Sequence, residues 1–292
     1  MRLTVLGGCG AWPAAGQACS GYLVEHEGFR LLIDPGYAIL PRLLQFVQAD
    51  DVDAVLVSHG HPDHCADLNP LLRARTFRDD RPPAPALPVY APPGALRPVL
   101  ALDRPGALDG AIDLREFTPG EGFGVGPFAV RSWLLPHFVP NAGLRLESGG
   151  QHLAYTGDTG PSPDLLSLAL GADLLLAEAS CAREVPDDSA RYLSSASQAG
   201  RLAYRAGAGQ LILTHLVPGT DPLDSVEAAA EGYSGPIAVA SPGLVASPGP
   251  LASPGPLASP GLVASPGLVA SPGLLAEPGL LAEPGLAAEP DR

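Results

Sequence analysis

The amino-acid sequence predicts an α/β body of one domain, followed by a separate low-complexity tail. Over residues 1–240, short runs rich in Val and Leu alternate with segments whose apolar residues recur every three or four positions. Hydrophobic residues make up 46% of the 292-residue chain, which is enough to bury a large core. From residue 241 onward the sequence becomes a six-residue repeat. We therefore predict a folded domain at 1–240 and a tail at 241–292.

Strands are expected where runs of β-branched residues and leucine are closed by turn-forming residues. These runs occupy residues 3–6, 21–25, 29–33, 54–57, 89–90, 128–134, 144–147, 153–155, 174–177, 211–214 and 237–240. Gly28 lies between two of the runs and predicts a hairpin turn. Helices are predicted at 41–48, 164–170, 195–206 and 225–231, and the last two show apolar residues at three- and four-residue spacing. The segment 78–88, rich in Pro and charge, is predicted to be a surface loop.

The tail consists of variations on Ser-Pro-Gly-Leu-Val-Ala. Eight such units run from Ser241 to Ala288, and four further residues close the chain. A Pro in every sixth position prevents a continuous helix or an interior strand, and each Pro-Gly pair suits the centre of a type II turn. We predict that residues 241–292 are disordered and carry no chemistry.

The charge balance disfavours a nucleic-acid polymer as a partner. The chain has 17 basic residues, all of them Arg, and 31 acidic residues, so its formal net charge is −14. Affinity for nucleic acid comes mostly from Lys and Arg side chains that neutralise phosphates. A small anionic substrate remains compatible with this charge, because metal ions dominate the electrostatic field of the site that holds them.

The beginning of the chain resembles a strand and not a targeting segment. Residues 2–6 are Arg-Leu-Thr-Val-Leu, without the basic segment and long apolar stretch of a secretory signal. The sequence also has no run of about 18 apolar residues, the length that a transmembrane helix requires. We therefore expect a cytoplasmic protein without a membrane partner.

Five of the predicted strands are followed closely by an Asp or a His. These residues are Asp34, His59, His137, Asp158 and His215. Rigid strands commonly present functional side chains on the loops at one edge of a sheet. We therefore expect the five side chains to converge at such an edge.

A dense group of metal-ligand residues follows the strand at 54–57. The stretch His59-Gly-His61-Pro-Asp63-His64 holds three of the seven His in the chain within six residues. Alternate positions in an extended segment point to the same side, so His59 and His61 can bind one ion together. Asp63 and His64 follow after a turn and can face a second ion. Imidazole and carboxylate are the side chains that commonly bind zinc.

The pattern His59-x-His61-x-Asp63-His64 resembles the signature of the metallo-β-lactamase superfamily. His137, Asp158 and His215 follow in the order in which that superfamily places its remaining metal ligands. The resemblance covers about residues 1–240 and implies a four-layer αββα sandwich. It also implies two divalent metal ions, with zinc expected, although manganese or iron would suit the same ligands.

The resemblance further implies a role for each of these side chains. The first ion would be bound by His59, His61 and His137. The second ion would be bound by Asp63, His64 and His215. Asp158 would bridge the two ions, and Asp34 would orient a ligand through a hydrogen bond.

Other segments resemble the phosphodiesterase branch of the superfamily, which includes ribonuclease Z. They are the segment 154–160, Ala-Tyr-Thr-Gly-Asp-Thr-Gly, and the segment 172–180, which contains Leu-Leu-Leu-Ala-Glu. The segments 5–8 and 19–24, near the start of the chain, resemble those of small bacterial cyclic-nucleotide phosphodiesterases. This likeness implies hydrolysis of a small phosphodiester by a hydroxide that bridges two metals, with Asp63 and Asp158 as catalytic residues. Because dimers are common among the proteins that this chain resembles, we also expect a homodimer.

One departure from that branch keeps other functions open. Leu193 stands where ribonuclease Z and its relatives usually place a His that is thought to assist the leaving group, so efficient RNA cleavage is disfavoured. Tyr192 is then a candidate proton donor. The alternatives are a lactonase or thioesterase of the same fold, a ribonuclease Z-like enzyme, and a scaffold that binds metal without catalysis.

Overall fold

The computed structural model describes residues 1–77, 80 and 82–248, which form two seven-stranded sheets. In spatial order, the first sheet contains β14 (Val245–Ala246), β1 (Arg2–Gly7), β2 (Gly21–His26), β3 (Phe29–Ile33), β4 (Ala54–Leu56), β5 (Leu87–Ala91) and β6 (Ile112–Glu116). The second contains β13 (Ile237–Val239), β12 (Leu211–Thr214), β11 (Leu174–Glu178), β10 (Gln151–Tyr155), β9 (Asn141–Ser148), β8 (Phe128–Leu135) and β7 (Gly122–Val125). Each sheet contains both parallel and antiparallel strand pairs. In the first sheet β3 pairs parallel with β4, and in the second β11 pairs parallel with both β10 and β12.

Helices cover the outer faces of both sheets. In chain order they are α1 (Ile39–Leu43), α2 (Pro62–Cys65), α3 (Leu68–Thr76), α4 (Arg97–Leu100), α5 (Asp164–Ala169), α6 (Ala196–Ala206) and α7 (Pro222–Ala230). The longest described helix, α6, has 11 residues, well short of the roughly 20 that cross a bilayer.

Three apolar clusters hold the layers together. The first, with Tyr22, Phe128 and Tyr155 among its largest members, fills the space between the two sheets. The second packs α1, α3 and α4 onto the outer face of the first sheet. The third packs α5, α6 and α7 onto the outer face of the second sheet. This arrangement confirms the predicted four-layer αββα sandwich.

Alternation within the strands explains how each sheet buries both faces. Leu31 and Ile33 of β3 belong to the cluster between the sheets, whereas Leu32 belongs to the helix-facing cluster. Successive side chains of a strand point to opposite faces, and a sheet covered on both faces needs apolar residues at every position. Every predicted strand overlaps an observed strand, although β5 and β9 are longer than predicted. The turn at Gly28, with φ of 82°, joins β2 to β3.

Some elements differ from the prediction. The helix predicted at 41–48 was wrong in extent, since α1 spans Ile39–Leu43. Pro41 has no N–H to donate and is tolerated only near a helix start, so the helix begins before it. The loop predicted at 78–88 was wrong at its end, because Leu87 and Pro88 belong to β5 and Leu87 is buried. Residues 78, 79 and 81 lie outside the described residues.

The strand β14 lies beyond the predicted domain boundary at residue 240. It pairs antiparallel with β1, opposite Leu3 and Thr4. Val5 N–H donates to the carbonyl of Leu244 at 2.8 Å, and Gly243 N–H donates to the carbonyl of Val5 at 2.8 Å. The first repeat unit thus contributes an edge strand to the first sheet, which corrects the boundary. Residues 249–292 lie outside the described residues, so their disorder remains a prediction.

Candidate metal centre

The predicted site residues meet at one edge of the sandwich. Asp34 follows β3, His59 and His61 follow β4, and α2 carries Asp63 and His64. From the second sheet, the loops after β8, β10 and β12 add His137, Asp158 and His215. Because the carboxyl ends of parallel strands meet at one edge, strands from both sheets deliver these side chains to a single place.

The first group consists of His59, His61, His137 and Asp158. One ligand atom from each of the four residues lies within 4.8 Å of the others. His61 Nδ1 lies 3.1 Å from His59 Nε2 and 3.0 Å from His137 Nε2. Three imidazole nitrogens therefore converge on one point, an arrangement suited to a shared cation.

The second group consists of Asp63, His64, Asp158 and His215, and Asp158 belongs to both groups. Asp158 Oδ2 lies 3.0 Å from His215 Nε2 and 3.2 Å from His64 Nε2. Asp63 Oδ2 lies 3.1 Å from the same His215 atom. The same Asp158 oxygen is 3.7 Å from Nε2 of both His59 and His137. One carboxylate oxygen thus lies between the two groups.

Hydrogen bonds set which nitrogen of each ring faces the centre. His64 Nδ1 lies 2.8 Å from Asp34 Oδ2, and His137 Nδ1 lies 2.9 Å from the carbonyl oxygen of Tyr192. A carboxylate and a carbonyl can only accept, so in both rings Nδ1–H donates. In the neutral form of each ring, Nε2 then carries the lone pair that points into the site.

Two serine hydroxyls also determine which nitrogen of a neighbouring imidazole faces the centre. Ser58 Oγ donates to Asp34 Oδ2 at 2.6 Å and lies 3.0 Å from His59 Nδ1. Ser180 Oγ donates to Glu178 Oε1 at 2.7 Å and lies 2.9 Å from His215 Nδ1. Each hydroxyl has used its only proton, so it accepts from the ring. Four of the five imidazoles are therefore held with Nε2 towards the centre, and His61 presents Nδ1.

Two buried ligand atoms at the site lack a hydrogen-bond partner within the described part of the protein. Among the described residues, His64 Nε2 and Asp158 Oδ1 are buried without a hydrogen-bond partner. Leaving a buried charged oxygen unpaired is costly, and a metal ion would supply its partner. Imidazole and carboxylate ligands suit zinc, manganese and iron. The residues present therefore fit divalent metal ions.

The surroundings of the two groups shift the pKa values of their imidazoles in different directions. Burial lowers the pKa of His59, His61 and His137. Burial also opposes protonation of His215, but the carboxylates of Asp158 and Asp63 outweigh it and raise the pKa of His215 to about 10. The surroundings thus favour neutral rings in the first group, the form in which imidazole binds a metal, and favour a protonated His215 in the second group.

Backbone geometry at the site is strained. Asp34 has φ of 49° and His215 has φ of 61°, both in the left-handed region that non-glycine residues rarely adopt. Such residues cost on the order of 1–3 kcal/mol each and persist where surrounding contacts hold them. At Gly36 an added Cβ would lie 1.8 Å from the carbonyl oxygen of Asp63, so only glycine lets these segments approach.

Several residues that contact the site were not singled out from the sequence. Tyr155 OH donates to Asp34 Oδ2 at 2.7 Å, and the amide of Ala11 donates to Asp63 Oδ2 at 2.9 Å. Ser58 and Ser180 hold imidazoles as described above. Ser58 is adjacent to His59, which is a signal that the sequence offers. The contact of Ala11 uses only a backbone amide, for which no side-chain signal exists.

Two aromatic residues, Phe138 and Tyr192, lie beside His137. Tyr192, predicted as a proton donor, gives its carbonyl to His137, and its ring packs against Phe138 with centroids 4.6 Å apart. Leu193 follows it in the same segment and is half-buried. The proton-donor role of Tyr192 remains a prediction.

Comparison with known proteins agrees with this geometry. A family model described as the beta-lactamase superfamily domain matches residues 29–216, and the chain belongs to this family. The probable metallo-hydrolase YhfI of Bacillus subtilis is 33% identical over 217 residues, covering 74% of this chain and 87% of that protein. Ribonuclease Z of Mycolicibacterium gilvum is 32% identical over 247 residues, covering 76% of this chain and 86% of that protein.

Solved structures show the same architecture. The crystal structure of YhfI, a metallo-beta-lactamase fold protein, matches with a TM-score of 0.75 and 31% identity, covering 84% of this chain and 98% of that one. Human tRNase Z, short form, matches with a TM-score of 0.68 and 21% identity, covering 85% of this chain and all of that one. The protein is a metallo-hydrolase of the beta-lactamase fold, with His and Asp groups suited to binding metal ions.

Proposed function

We propose that this protein is a two-metal phosphodiesterase that hydrolyses a small phosphodiester such as a cyclic nucleotide. The observation that carries the proposal is the position of Asp158. Its Oδ2 lies within 3.7 Å of Nε2 of four histidines and belongs to both ligand groups. A carboxylate shared by two ligand groups could bridge two closely spaced ions, the arrangement that two-metal hydrolysis uses to clamp the attacking and leaving oxygens.

In this proposal the two groups hold zinc ions, with manganese or iron as alternatives. His59, His61 and His137 would hold the first ion, Asp63, His64 and His215 would hold the second, and Asp158 would contribute to both. When bound, the ions lower the pKa of a water molecule towards 7 and withdraw charge from the phosphoryl oxygens. The remaining contributions come from the chain itself.

The chain contributes a rigid, water-poor setting. His59, His64 and Asp158 are almost completely buried, so charges at the site act in a medium that screens them weakly. The hydrogen bonds from Nδ1 of the rings fix their orientation before substrate arrives, and the Ala11 amide fixes Asp63. Preorganised groups of this kind usually supply the largest share of catalysis, because nothing has to reorient during the reaction.

The relatives favour a phosphodiester over a carbon ester as substrate. Ribonuclease Z of Mycolicibacterium gilvum, at 32% identity, is named for cleavage of RNA, whose backbone is a phosphodiester. A lactonase or thioesterase would use the same ligand set, so substrate preference distinguishes the two proposals.

The charge of the chain favours a small substrate over a polymer. The net charge is −14 and the chain has no Lys. A polyanion gains affinity when many basic side chains neutralise its phosphates and so release their counterions into solution, and acidic residues outnumber basic ones in this chain. RNA remains the second candidate because of the ribonuclease Z relatives. Binding of RNA that falls steeply as salt rises would favour it.

The test is hydrolysis of 3′,5′-cyclic AMP by purified protein loaded with zinc or manganese. His59→Ala removes one ligand of the first group, and we expect turnover to vanish in that variant. His152→Ala is the matched control, because His152 lies on β10 and contacts Asp173 outside the site. Turnover in wild type and in the control, lost in His59→Ala, supports the proposal. Bound metal without turnover of any phosphodiester contradicts it.

A further inference from the structure

An aromatic pair, one ring exposed and the other half-buried, borders the candidate metal centre. The ring of Phe138 is 56% exposed and packs on the ring of Tyr192, with centroids 4.6 Å apart and planes inclined by 36°. An isolated exposed aromatic side chain needs no explanation. This pair differs because the Phe138 ring also lies 5.2 Å from the ring of His137, one of the residues of the first ligand group.

The pair is fixed relative to the site. Phe138 directly follows His137 and lies between Pro136 and Pro140, whose rings restrict the backbone. Tyr192 accepts from His137 Nδ1 through its carbonyl, and its own N–H donates to the carbonyl of Ser189 at 2.8 Å. A surface held in this way loses little conformational entropy when a ligand covers it.

A cation lies at the border of the same surface. The guanidinium carbon of Arg191 is 5.8 Å from the centroid of the Tyr192 ring. Within the described part of the chain, Arg191 is exposed and forms no ion pair with a carboxylate. An electron-rich ring with an adjacent guanidinium attracts planar π-systems and the anions attached to them.

We propose that Phe138 and Tyr192 form a stacking surface for a nucleobase, so that the substrate is a nucleotide phosphodiester. This inference rests on the proposed function and names its substrate class. A base is joined to its phosphate through a single sugar, so a base on Phe138 leaves the phosphate beside His137. Every base has a π-face, and stacking on an aromatic side chain contributes about 1–3 kcal/mol per base.

The alternative is that the pair only supports the ring of His137. In that case truncation of Phe138 would change metal affinity or turnover for every substrate equally. A stacking surface instead changes the preference for substrates that carry a base. The deciding quantity is therefore the ratio of kcat/KM for 3′,5′-cyclic AMP to kcat/KM for 1-deoxyribose 3′,5′-cyclic phosphate, which has the same phosphodiester without a base.

The experiment measures this ratio for the full metal-loaded chain and three variants. Phe138→Ala is expected to lower the ratio about tenfold, which corresponds to about 1.4 kcal/mol, and Phe138→Trp is expected to preserve it. Phe77→Ala is the matched control, because Phe77 is 52% exposed at the end of α3 and packs against Arg73. A ratio in Phe138→Ala equal to that of wild type overturns the stacking surface.

A binding measurement separates this inference from the proposed reaction. If wild type holds metal but turns over neither substrate, equilibrium dialysis compares adenosine 5′-monophosphate with ribose 5-phosphate. Tighter binding of the nucleotide, weakened about tenfold in Phe138→Ala, supports the stacking surface although the proposed reaction fails. Equal binding of the two compounds, or a preference that Phe138→Ala leaves unchanged, overturns it.

Discussion

The carboxylate of Asp34 accepts a hydrogen bond from His64 Nδ1 at 2.8 Å. The same oxygen accepts from Ser58 Oγ and from Tyr155 OH, and its other oxygen accepts from the Ser58 amide at 2.7 Å. Because Ser58 in turn holds His59, this one buried carboxylate orients a ring in each ligand group. It also connects the first sheet to β10 of the second.

We expect Asp34→Asn to weaken metal binding by about 10- to 100-fold, the usual effect of losing an outer partner of a metal ligand. Asn tolerates the left-handed backbone found at residue 34, so the local conformation is retained. Titration against a chromophoric chelator measures the affinity, and circular dichroism checks the fold. Unchanged affinity in a folded variant would show that Asp34 does not position the ligands.

Asp158→Ala should remove the bridge between the two groups. We expect the metal content, measured by mass spectrometry of the purified protein, to fall from two ions per chain to one or none. Asp187→Ala is the control, because Asp187 is exposed and lies outside both groups. Full activity with both ions retained in Asp158→Ala would defeat the assignment of the bridge.

Metal binding should release protons at neutral pH. The carboxylates beside His215 raise its pKa to about 10 in the ion-free protein, and those around His64 raise its pKa above the usual range. A metal ion binds the neutral ring and displaces these protons. Affinity should therefore rise with pH between 7 and about 10. Calorimetry in two buffers of different ionisation enthalpy measures the release, and identical heats in both would contradict it.

Gly160→Ala should destabilise the segment that holds His137. An added Cβ at Gly160 would lie 2.1 Å from the carbonyl oxygen of Arg191, next to Tyr192. Overpacking of this kind costs about 1–3 kcal/mol of unfolding free energy, which denaturant unfolding measures. Gly124→Ala is the control, since nothing lies within 4 Å of a Cβ there. Equal stability of the two variants would mean that the close approach relaxes freely.

Two truncations test the boundary of the domain. A chain ending at residue 248 keeps β14 and should retain metal binding and stability, because the remaining repeats are predicted to carry no chemistry. A chain ending at residue 240 loses β14 and the hydrogen bonds to Val5. We expect it to unfold more easily by about 1–3 kcal/mol. Equal thermal midpoints for the two chains would show that β14 contributes nothing.

The secondary structure was largely predictable where both faces of a strand are buried. β12 is a buried run that begins Leu-Ile-Leu, and β3 ends in the buried run Leu-Leu-Ile; the predicted bounds of both strands match the observed ones. The prediction missed β7, Gly-Phe-Gly-Val, because two glycines weaken the strand signal. It also missed α3, whose Pro70 interrupts the helical pattern although it lies in the first turn, where Pro is tolerated.

The sequence by itself indicated which side chains could bind metal and where the buried strands lie, and the order of the layers followed only from its resemblance to a known family. The spacing from His59 to His64 is local, and buried strands carry their apolar signal within a few residues. Only the tertiary structure decided which nitrogen of His64, His137 and His215 faces the centre, because their partners Asp34, Tyr192 and Ser180 lie 30, 55 and 35 residues away along the chain. It also decided the place of β14 and the pairing of Phe138 with Tyr192. Such contacts depend on how the sheets close on each other, which local periodicity does not encode.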